Sequence, residues 1–172
     1  IALVSGKDFE LSYSDNNINV GTATVTITGS GNYTGKQDKS FAIEPKSIDG
    51  AEITLVSPLF EYNGEEQTVE IVSVTLPDGT VLAESDYKIK DDSNKATNAA
   101  PDLLLTIEGT GNYTGIATRY WMISKIAPKQ ADFDMVPDLS AEQTYSGEAQ
   151  IVNVTTKSGI RGMGAVTVRY ND

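Results

Sequence analysis

The chain has 172 residues, 39% of them apolar, with a net charge of −11 and neither cysteine nor histidine. Lack of cysteine excludes a disulfide framework and thiolate chemistry, and lack of histidine excludes the catalytic triads that use an imidazole base. The negative charge repels phosphate backbones and anionic membranes, and no apolar run reaches the roughly 18 to 20 residues that span a bilayer. We therefore expect no nucleic-acid partner, no membrane insertion, no cofactor and no enzymatic activity.

The first 45 residues alternate polar and apolar side chains in the manner of β-strands. Residues 8–15 (DFELSYSD) have this pattern, and residues 22–29 (TATVTITG) alternate threonine with apolar residues. The glycine-rich segment GSGNYTG at 29–35 precedes KQDKSFAI at 36–43. We predict a β-hairpin over residues 22–43, with the glycine-rich segment as its turn.

The middle of the chain gives a longer series of short strands separated by turn signals. Asn63-Gly64 and the PDG of residues 77–79 favour turns, and the polar residues 92–102 are typical of an exposed loop. Pro45 and Pro128 fall in short connectors, because proline cannot donate to a strand ladder. The predicted strands lie within residues 51–57, 59–76, 80–91, 103–109 and 116–123.

An internal repeat organises these elements. GSGNYTG returns as GTGNYTG at 109–115, 80 positions later, and similar strands flank both copies. EYNGEEQ at 61–67 returns as TYSGEAQ at 144–150, 83 positions later. The predicted modules are therefore the second half of a first copy, a complete copy and the first half of a third copy. Their bounds are residues 1–45, 46–128 and 129–172.

The third copy stops before its closing hairpin. Its last predicted strand, AVTVRYND at 165–172, corresponds to DFELSYSD of the first copy. The opening residues IALVSGKDF lack the basic flank of a secretion signal, so we expect the chain to be an excerpt of a longer protein. The open strand edges of the two half-modules could complete one another between chains, which predicts head-to-tail self-association.

These motifs resemble a known family of repeats. YNGEEQ, Asp86-Tyr87, GTGNYTG and the aromatic-x-Ile ending, spaced within one unit of 80 residues, are similar to the glycine-rich all-β repeats of the MBG and YDG type. Such repeats occur in tandem in bacterial cell-surface, adhesin-like proteins. The resemblance covers nearly the whole chain and implies an extracellular location with a stalk, spacer or adhesive role. It implies no catalytic residues.

The fold that we predict is all-β, with tandem small antiparallel sandwiches of immunoglobulin-like type, or alternatively a β-grasp-like sheet. Helix should be nearly absent. The predicted core consists of Val25, Ile27, Phe41, Ile43, Ile53, Leu55, Tyr62, Val69, Ile71, Tyr87, Ile89, Leu103, Leu105, Ile107, Trp121 and Ile123.

The glycine-rich turns invite a nucleotide-loop interpretation, which their spacing excludes. A phosphate-binding loop needs a first glycine where Ser30 stands, and its lysine is replaced by Ile116 in the second copy. We interpret these residues as structural, with Gly29 and Gly31 at positive φ or beside a packed aromatic ring. The repeat-turn residues are Gly29, Gly31, Asn32, Tyr33, Gly35, Gly109, Gly111, Asn112, Tyr113 and Gly115.

The sequence gives weaker support for a metal site, a covalent crosslink or glycosylation. The acidic residues around Asp91 and Asp92 lack EF-hand spacing, so we expect a solvated turn and no metal site. Lys88 and Lys90 are candidates for an isopeptide crosslink. Sequons begin at Asn32, Asn112 and Asn153, and the first two coincide with the repeat turn, which favours a structural role.

Exposed aromatic residues are the remaining route to a ligand. Trp121 takes the place of Phe41 and is predicted to be in the core, whereas Tyr120 points the other way on its strand and is the candidate ligand contact. The leading hypothesis is a non-catalytic spacer on a bacterial surface, whose partners are neighbouring repeats. The alternatives are an adhesive module for a host glycan or matrix protein, and an accessory module of a secreted enzyme.

Overall fold

The computed structural model describes residues 2–136, 144–145, 147–157 and 166–169. The chain divides into two compact units, and each is built from segments that are separated in the sequence. The first unit comprises Ile1–Val56, Ile71–Ser93 and Leu104–Arg119, and the second comprises Ser57–Glu70, Asn94–Leu103 and Tyr120–Asp172.

The predicted all-β class is confirmed, with 49% of the described residues in strands. The helical content of the described residues is two 3-10 turns, Glu84–Asp86 and Gln130–Asp132. The strands are β1 (Phe9–Tyr13), β2 (Gly21–Gly29), β3 (Lys36–Ile43), β4 (Lys46–Ser47), β5 (Glu52–Leu55), β6 (Leu59–Glu61), β7 (Gln67–Thr68), β8 (Ile71–Thr75), β9 (Tyr87–Ile89), β10 (Lys95–Ala96), β11 (Ala100–Gly109), β12 (Tyr113–Thr114), β13 (Ile116–Ser124), β14 (Phe133–Val136) and β15 (Asn153–Thr156).

The first hairpin forms as predicted. β2 and β3 pair antiparallel from Gly21↔Ile43 to Thr28↔Lys36. β1 pairs with the other side of β2, which gives a sheet of order β1-β2-β3. The threonine-rich alternation of β2 suits the central strand, because branched side chains pack well on both faces of a pleated sheet.

The same pairing recurs one repeat later. Tyr87 lies opposite Gly109 in the β9–β11 pair, as Phe9 lies opposite Gly29 in the β1–β2 pair. These strands belong to a sheet of order β6-β13-β11-β9. β6 pairs with β13 in parallel, and β4 with β12 likewise, whereas the other strand pairs described above are antiparallel. Both pairs join segments that are distant in the sequence, so no hairpin turn fixes their direction.

The third copy repeats the register of the complete one. β5 and β8 pair Ile53 with Val74, and β14 and β15 pair Met135 with Val154. The segments IVSVT at 71–75 and IVNVT at 151–155, which overlap β8 and β15, differ at a single position. The pair of β14 and β15 therefore has the same antiparallel register as the pair of β5 and β8.

Two predicted elements differ from the structure. Residues 166–169, in the predicted last strand, have no strand assignment, and the rest of that segment lies outside the described residues. Its predicted counterpart, residues 8–15, contains β1, which pairs with β2. The predicted loop 92–102 contains β10 and the start of β11, because β10 finds a partner in β7. Tertiary pairing thus overrides the loop-like composition.

The core of the described residues lies in the complete repeat. Six of the predicted core residues are buried there, namely Ile53, Val69, Leu105, Ile107, Trp121 and Ile123. Buried residues that the periodicity missed include Ile48, Val74, Leu76 and Leu82. The prediction is wrong for Ile27, Phe41 and Ile89, which are 39%, 41% and 38% exposed. Ile89 lies on edge strand β9, and Ile27 and Phe41 lie in the three-stranded sheet, in which no described strand pairs beyond β3.

Ile27 and Ile107 lie 80 positions apart at equivalent places in the sequence, so substituting each one tests the difference in burial. Ile107→Ala should destabilise the fold by about 2–5 kcal/mol, because it removes a fully buried side chain. Ile27→Ala should cost about 1 kcal/mol or less, since that side chain remains partly in water. Urea unfolding followed by far-UV circular dichroism measures both. Equal losses would contradict the difference in burial.

Candidate functional site

The two glycine-rich turns share one backbone geometry. In each, the N–H of the first glycine donates to the carbonyl of the last, at 2.9 Å for Gly29 to Gly35 and 3.1 Å for Gly109 to Gly115. The third residue, Gly31 or Gly111, has φ of 62° or 63°. This is the left-handed region, which glycine adopts without steric cost. The repeated sequence therefore encodes a repeated turn, as predicted.

The first glycine of each turn is needed for a different reason from the predicted one. Gly29 and Gly109 do not have positive φ, and the atoms nearest to a Cβ at either position would be backbone atoms of the same turn. A Cβ at Gly29 would lie 2.8 Å from the N of Thr34, and a Cβ at Gly109 would lie 2.7 Å from the N of Thr114. Real Cβ atoms do not approach backbone so closely, so the folded-back turn excludes any side chain.

The second turn is also the place where the connector between copies docks. Lys46 N–H donates to the carbonyl of Asn112 at 2.9 Å, and Ile48 N–H donates to that of Thr114 at 2.8 Å. These bonds extend the parallel β4–β12 pair. Ile48 itself is fully buried. The turn thus presents an open backbone edge that the incoming chain completes.

The Asp49 side chain makes a further contact between the connector and the strand that follows the second turn. Its Oδ1 accepts a hydrogen bond from Ile116 N–H at 2.9 Å. This bond, and a second one from Ser47, hold the pKa of the Asp49 carboxyl below its ordinary value. Gly115 has φ of 93°, and a Cβ there would lie 2.5 Å from that same Oδ1, so a side chain would displace the Asp49 carboxylate from Ile116 N–H.

Asn112 ties the predicted first copy to the same turn. Its Oδ1 accepts from Val20 N–H at 2.9 Å, and its Nδ2 donates to Asn19 Oδ1 at 2.8 Å. Both partners precede β2. The sequon at Asn112 therefore coincides with a side chain that joins two copies.

An ion pair completes the attachment of the connector. Lys46 Nζ lies 2.6 Å from Asp78 Oδ2, and both side chains are about half exposed. The hydrogen bond from Lys46 holds the pKa of Asp78 well below its usual range. Exposed pairs contribute little free energy, so this contact orients the connector more than it stabilises it. We name the set Asn19, Val20, Lys46, Ile48, Asp49 and Asn112 the junction.

The first turn has the same backbone but no docked connector. A Cβ on Gly35 would meet nothing within 4 Å, although Gly35 has nearly the same φ as Gly115. A groove of about 360 Å³ lies there instead. It is lined by Leu3, Asp8, Phe9, Ile27, Gly29, Tyr33, Thr34, Gly35, Lys36 and Gln37.

The structure places the remaining candidates on the surface. Tyr120 is 66% exposed. Asp91 and Asp92 have φ of 53° and 51°, unusual for residues other than glycine, and form a tight exposed turn. Lys88 Nζ lies 3.2 Å from Glu108 Oε2 as a solvent-exposed pair. The structure brings none of these residues into the junction.

Two further findings concern ligands and membranes. Within the described ranges, no three acidic side chains gather where they could hold a metal ion. The same residues include no helix with the length and apolar character needed to cross a membrane.

Sequence reasoning identified the turn residues of the junction but not their partners. Asn19, Lys46 and Asp49 carry no motif, and the repetition of asparagine at Asn32 and Asn112 is the one signal in the sequence that points to a shared role. Comparisons with protein-family models, with curated proteins and with solved structures found no match.

The role of the connector can be tested at the last glycine of each turn. Gly115→Ala and Gly35→Ala should each cost about 1 kcal/mol, because alanine is strained at positive φ. Gly115→Ala should cost about 1–2 kcal/mol more, since it also displaces Asp49 from Ile116 N–H. Thermal unfolding of both variants measures the difference. Similar losses in the two variants would show that the connector contact is not stabilising.

Proposed function

We propose that the chain is a non-catalytic spacer made of repeats, which holds another domain away from a bacterial cell surface. The observation that carries the proposal is the junction. There, the most strongly repeated segment of the sequence binds the connector through Asn112 and Thr114 and binds the loop at Asn19 and Val20. In the second turn, the repeated residues therefore bind the two segments on either side of the first hairpin.

Several properties of the junction suit a stiff spacer. It fixes the connector on two sides, by backbone pairing at Lys46 and Ile48 and by the carboxylate of Asp49. A short connector with proline and a docked backbone has few conformations, so successive copies keep a fixed spacing. The extracellular, bacterial setting is supported by the resemblance to surface repeats and by an acidic chain without cysteine.

Stiffness at the junction is measurable with spin labels, because the chain has no native cysteine. Lys39→Cys and Arg119→Cys place labels at exposed positions before and after the connector. We expect a narrow distribution of distances between them by pulsed electron resonance. Asn112→Ala should broaden it, since it removes two hydrogen bonds worth about 1–2 kcal/mol together.

Asn32→Ala is the matched control, because Asn32 holds the same place in the first turn. It should leave the distances unchanged. A broad distribution in the unsubstituted junction would overturn the spacer proposal.

Adhesion is the second candidate function, and one observation favours it. Tyr120 is 66% exposed on β13, and exposed aromatic side chains are common contacts for sugars and proteins. An array of host glycans and matrix proteins tests this, with calcium and with EDTA. Adhesion predicts a saturable signal that falls at least about tenfold in Tyr120→Ser and stays unchanged in Tyr145→Ser, a matched exposed tyrosine. If nothing on the array bound the protein, the adhesion hypothesis would be wrong and the spacer proposal would stand.

A further inference from the structure

One dipeptide combines a reactive side chain with an unhindered backbone nitrogen. Asn63 is the only asparagine in the sequence that is followed by glycine. A glycine nitrogen can approach the preceding side chain closely, because no Cβ shields it. Every other asparagine that has a following residue precedes one with a side chain, as at Asn32-Tyr33 and Asn112-Tyr113. Asn63-Gly64 is therefore the place where an asparagine reacts most easily with its own backbone.

The structure shows a hydrogen bond that activates this side chain. Asn63 is exposed, and its Oδ1 accepts from Glu65 N–H at 2.9 Å. Gly64 has φ of 83°, a left-handed conformation that glycine adopts without steric cost. An N–H donor at Oδ1 stabilises the negative charge that develops on this oxygen when a nucleophile attacks the carboxamide carbon. The turn therefore favours attack on Cγ of Asn63.

A second turn has the same geometry, with a carboxylate in place of the amide. Asp78 Oδ1 accepts from Thr80 N–H at 3.0 Å, and Gly79 has φ of 88°. The other oxygen, Oδ2, lies 2.6 Å from Lys46 Nζ, and this hydrogen bond holds the pKa of Asp78 well below its usual range. Asp78 is therefore ionised at neutral pH. A carboxylate resists nucleophilic attack because it already carries a negative charge, whereas the amide of Asn63 is neutral.

We propose that Asn63 is a site of spontaneous covalent modification, at which the folded chain converts asparagine into aspartate and isoaspartate. The Gly64 nitrogen forms a bond to Cγ of Asn63, and the bond from Cγ to Nδ2 breaks. The proton of the Gly64 N–H leaves with the amide group, so ammonia is released and a succinimide ring remains. One water molecule then opens the ring at either carbonyl, which gives aspartate or isoaspartate. Water is the only other reactant that this conversion uses.

Both products change the turn between β6 and β7. Either one adds a negative charge beside Glu65 and Glu66, in a chain whose net charge is already −11. Isoaspartate also adds a methylene to the main chain next to Gly64, which is buried. The same turn is held by the bond from Gln67 Nε2 to the carbonyl of Glu61 at 2.9 Å. We expect isoaspartate to loosen the turn, because a longer main chain changes the geometry on which these bonds depend.

Incubation of the purified, folded chain at neutral and mildly alkaline pH tests the proposal. Peptide mass spectrometry should show a gain of one mass unit at Asn63, with fragments that identify isoaspartate, before any other asparagine changes. The rate should rise with pH, because the Gly64 nitrogen must lose its proton to form the new bond. The same peptide maps should show no isoaspartate at Asp78 over this time.

Gly64→Ala tests the attacking nitrogen. The added Cβ shields that nitrogen, so the variant should lose most of the modification at Asn63 over the same time. Circular dichroism establishes whether this variant is folded, since alanine is strained at positive φ. A parallel incubation of the unsubstituted chain in urea needs no substitution. Modification should occur in the folded chain as well as in urea, because the folded turn keeps Glu65 N–H on Oδ1 of Asn63.

The effect on the turn has its own matched control. Ion exchange separates the isoaspartate form from the unmodified chain, because the two differ by one charge. Asn63→Asp carries the same charge without the additional methylene. The isoaspartate form should unfold at a lower temperature than Asn63→Asp, and equal unfolding temperatures would show that the turn is not loosened.

Three outcomes would overturn the proposal. The first is modification of Asn63 in urea but not in the folded chain, or no faster than at the other asparagines. The second is undiminished modification of the folded Gly64→Ala variant. The third is formation of isoaspartate at Asp78 as fast as at Asn63, which would contradict the distinction between amide and carboxylate.

Discussion

The absence of a side chain at Gly29 and Gly109 is the constraint on which the repeat depends. A Cβ there would lie 2.8 Å or 2.7 Å from a backbone nitrogen of the same turn. Because the backbone folds back so closely, the turn presents its own carbonyls along one side. In the second turn, the carbonyls of Asn112 and Thr114 accept hydrogen bonds from the backbone of the connector. In the second turn, the backbone that forms the tight turn is therefore also the edge on which the connector docks.

In the junction, backbone and side-chain hydrogen bonds dock the connector on the second glycine-rich turn. Modules of this size bury little apolar surface, so each copy gains from a cover that the next segment of chain supplies. Ile48 of the connector is fully buried, and Asp49 satisfies the N–H of Ile116. Joining and folding are therefore coupled, as nearest-neighbour contacts are in other repeat proteins.

Comparison of equivalent positions explains the errors in the predicted core. Periodicity assigns Ile27 and Ile107 to the same inward face, and the strand pairing places both there. Their exposures differ because burial depends on a covering layer that lies elsewhere in the chain. Leu76 and Leu82 were missed for a related reason, since the turn between them carries no strand or helix period.

The sequence by itself determined the strand class, both hairpins and the positions of the two glycine-rich turns, because alternation and turn chemistry are local. It also placed Trp121 in the core and Tyr120 on the surface. Tertiary structure alone decided the parallel β6–β13 and β4–β12 pairs and the partners of Asn112. It also decided the exposure of Phe41. These depend on which distant segments meet, and no local pattern in one sequence encodes that meeting.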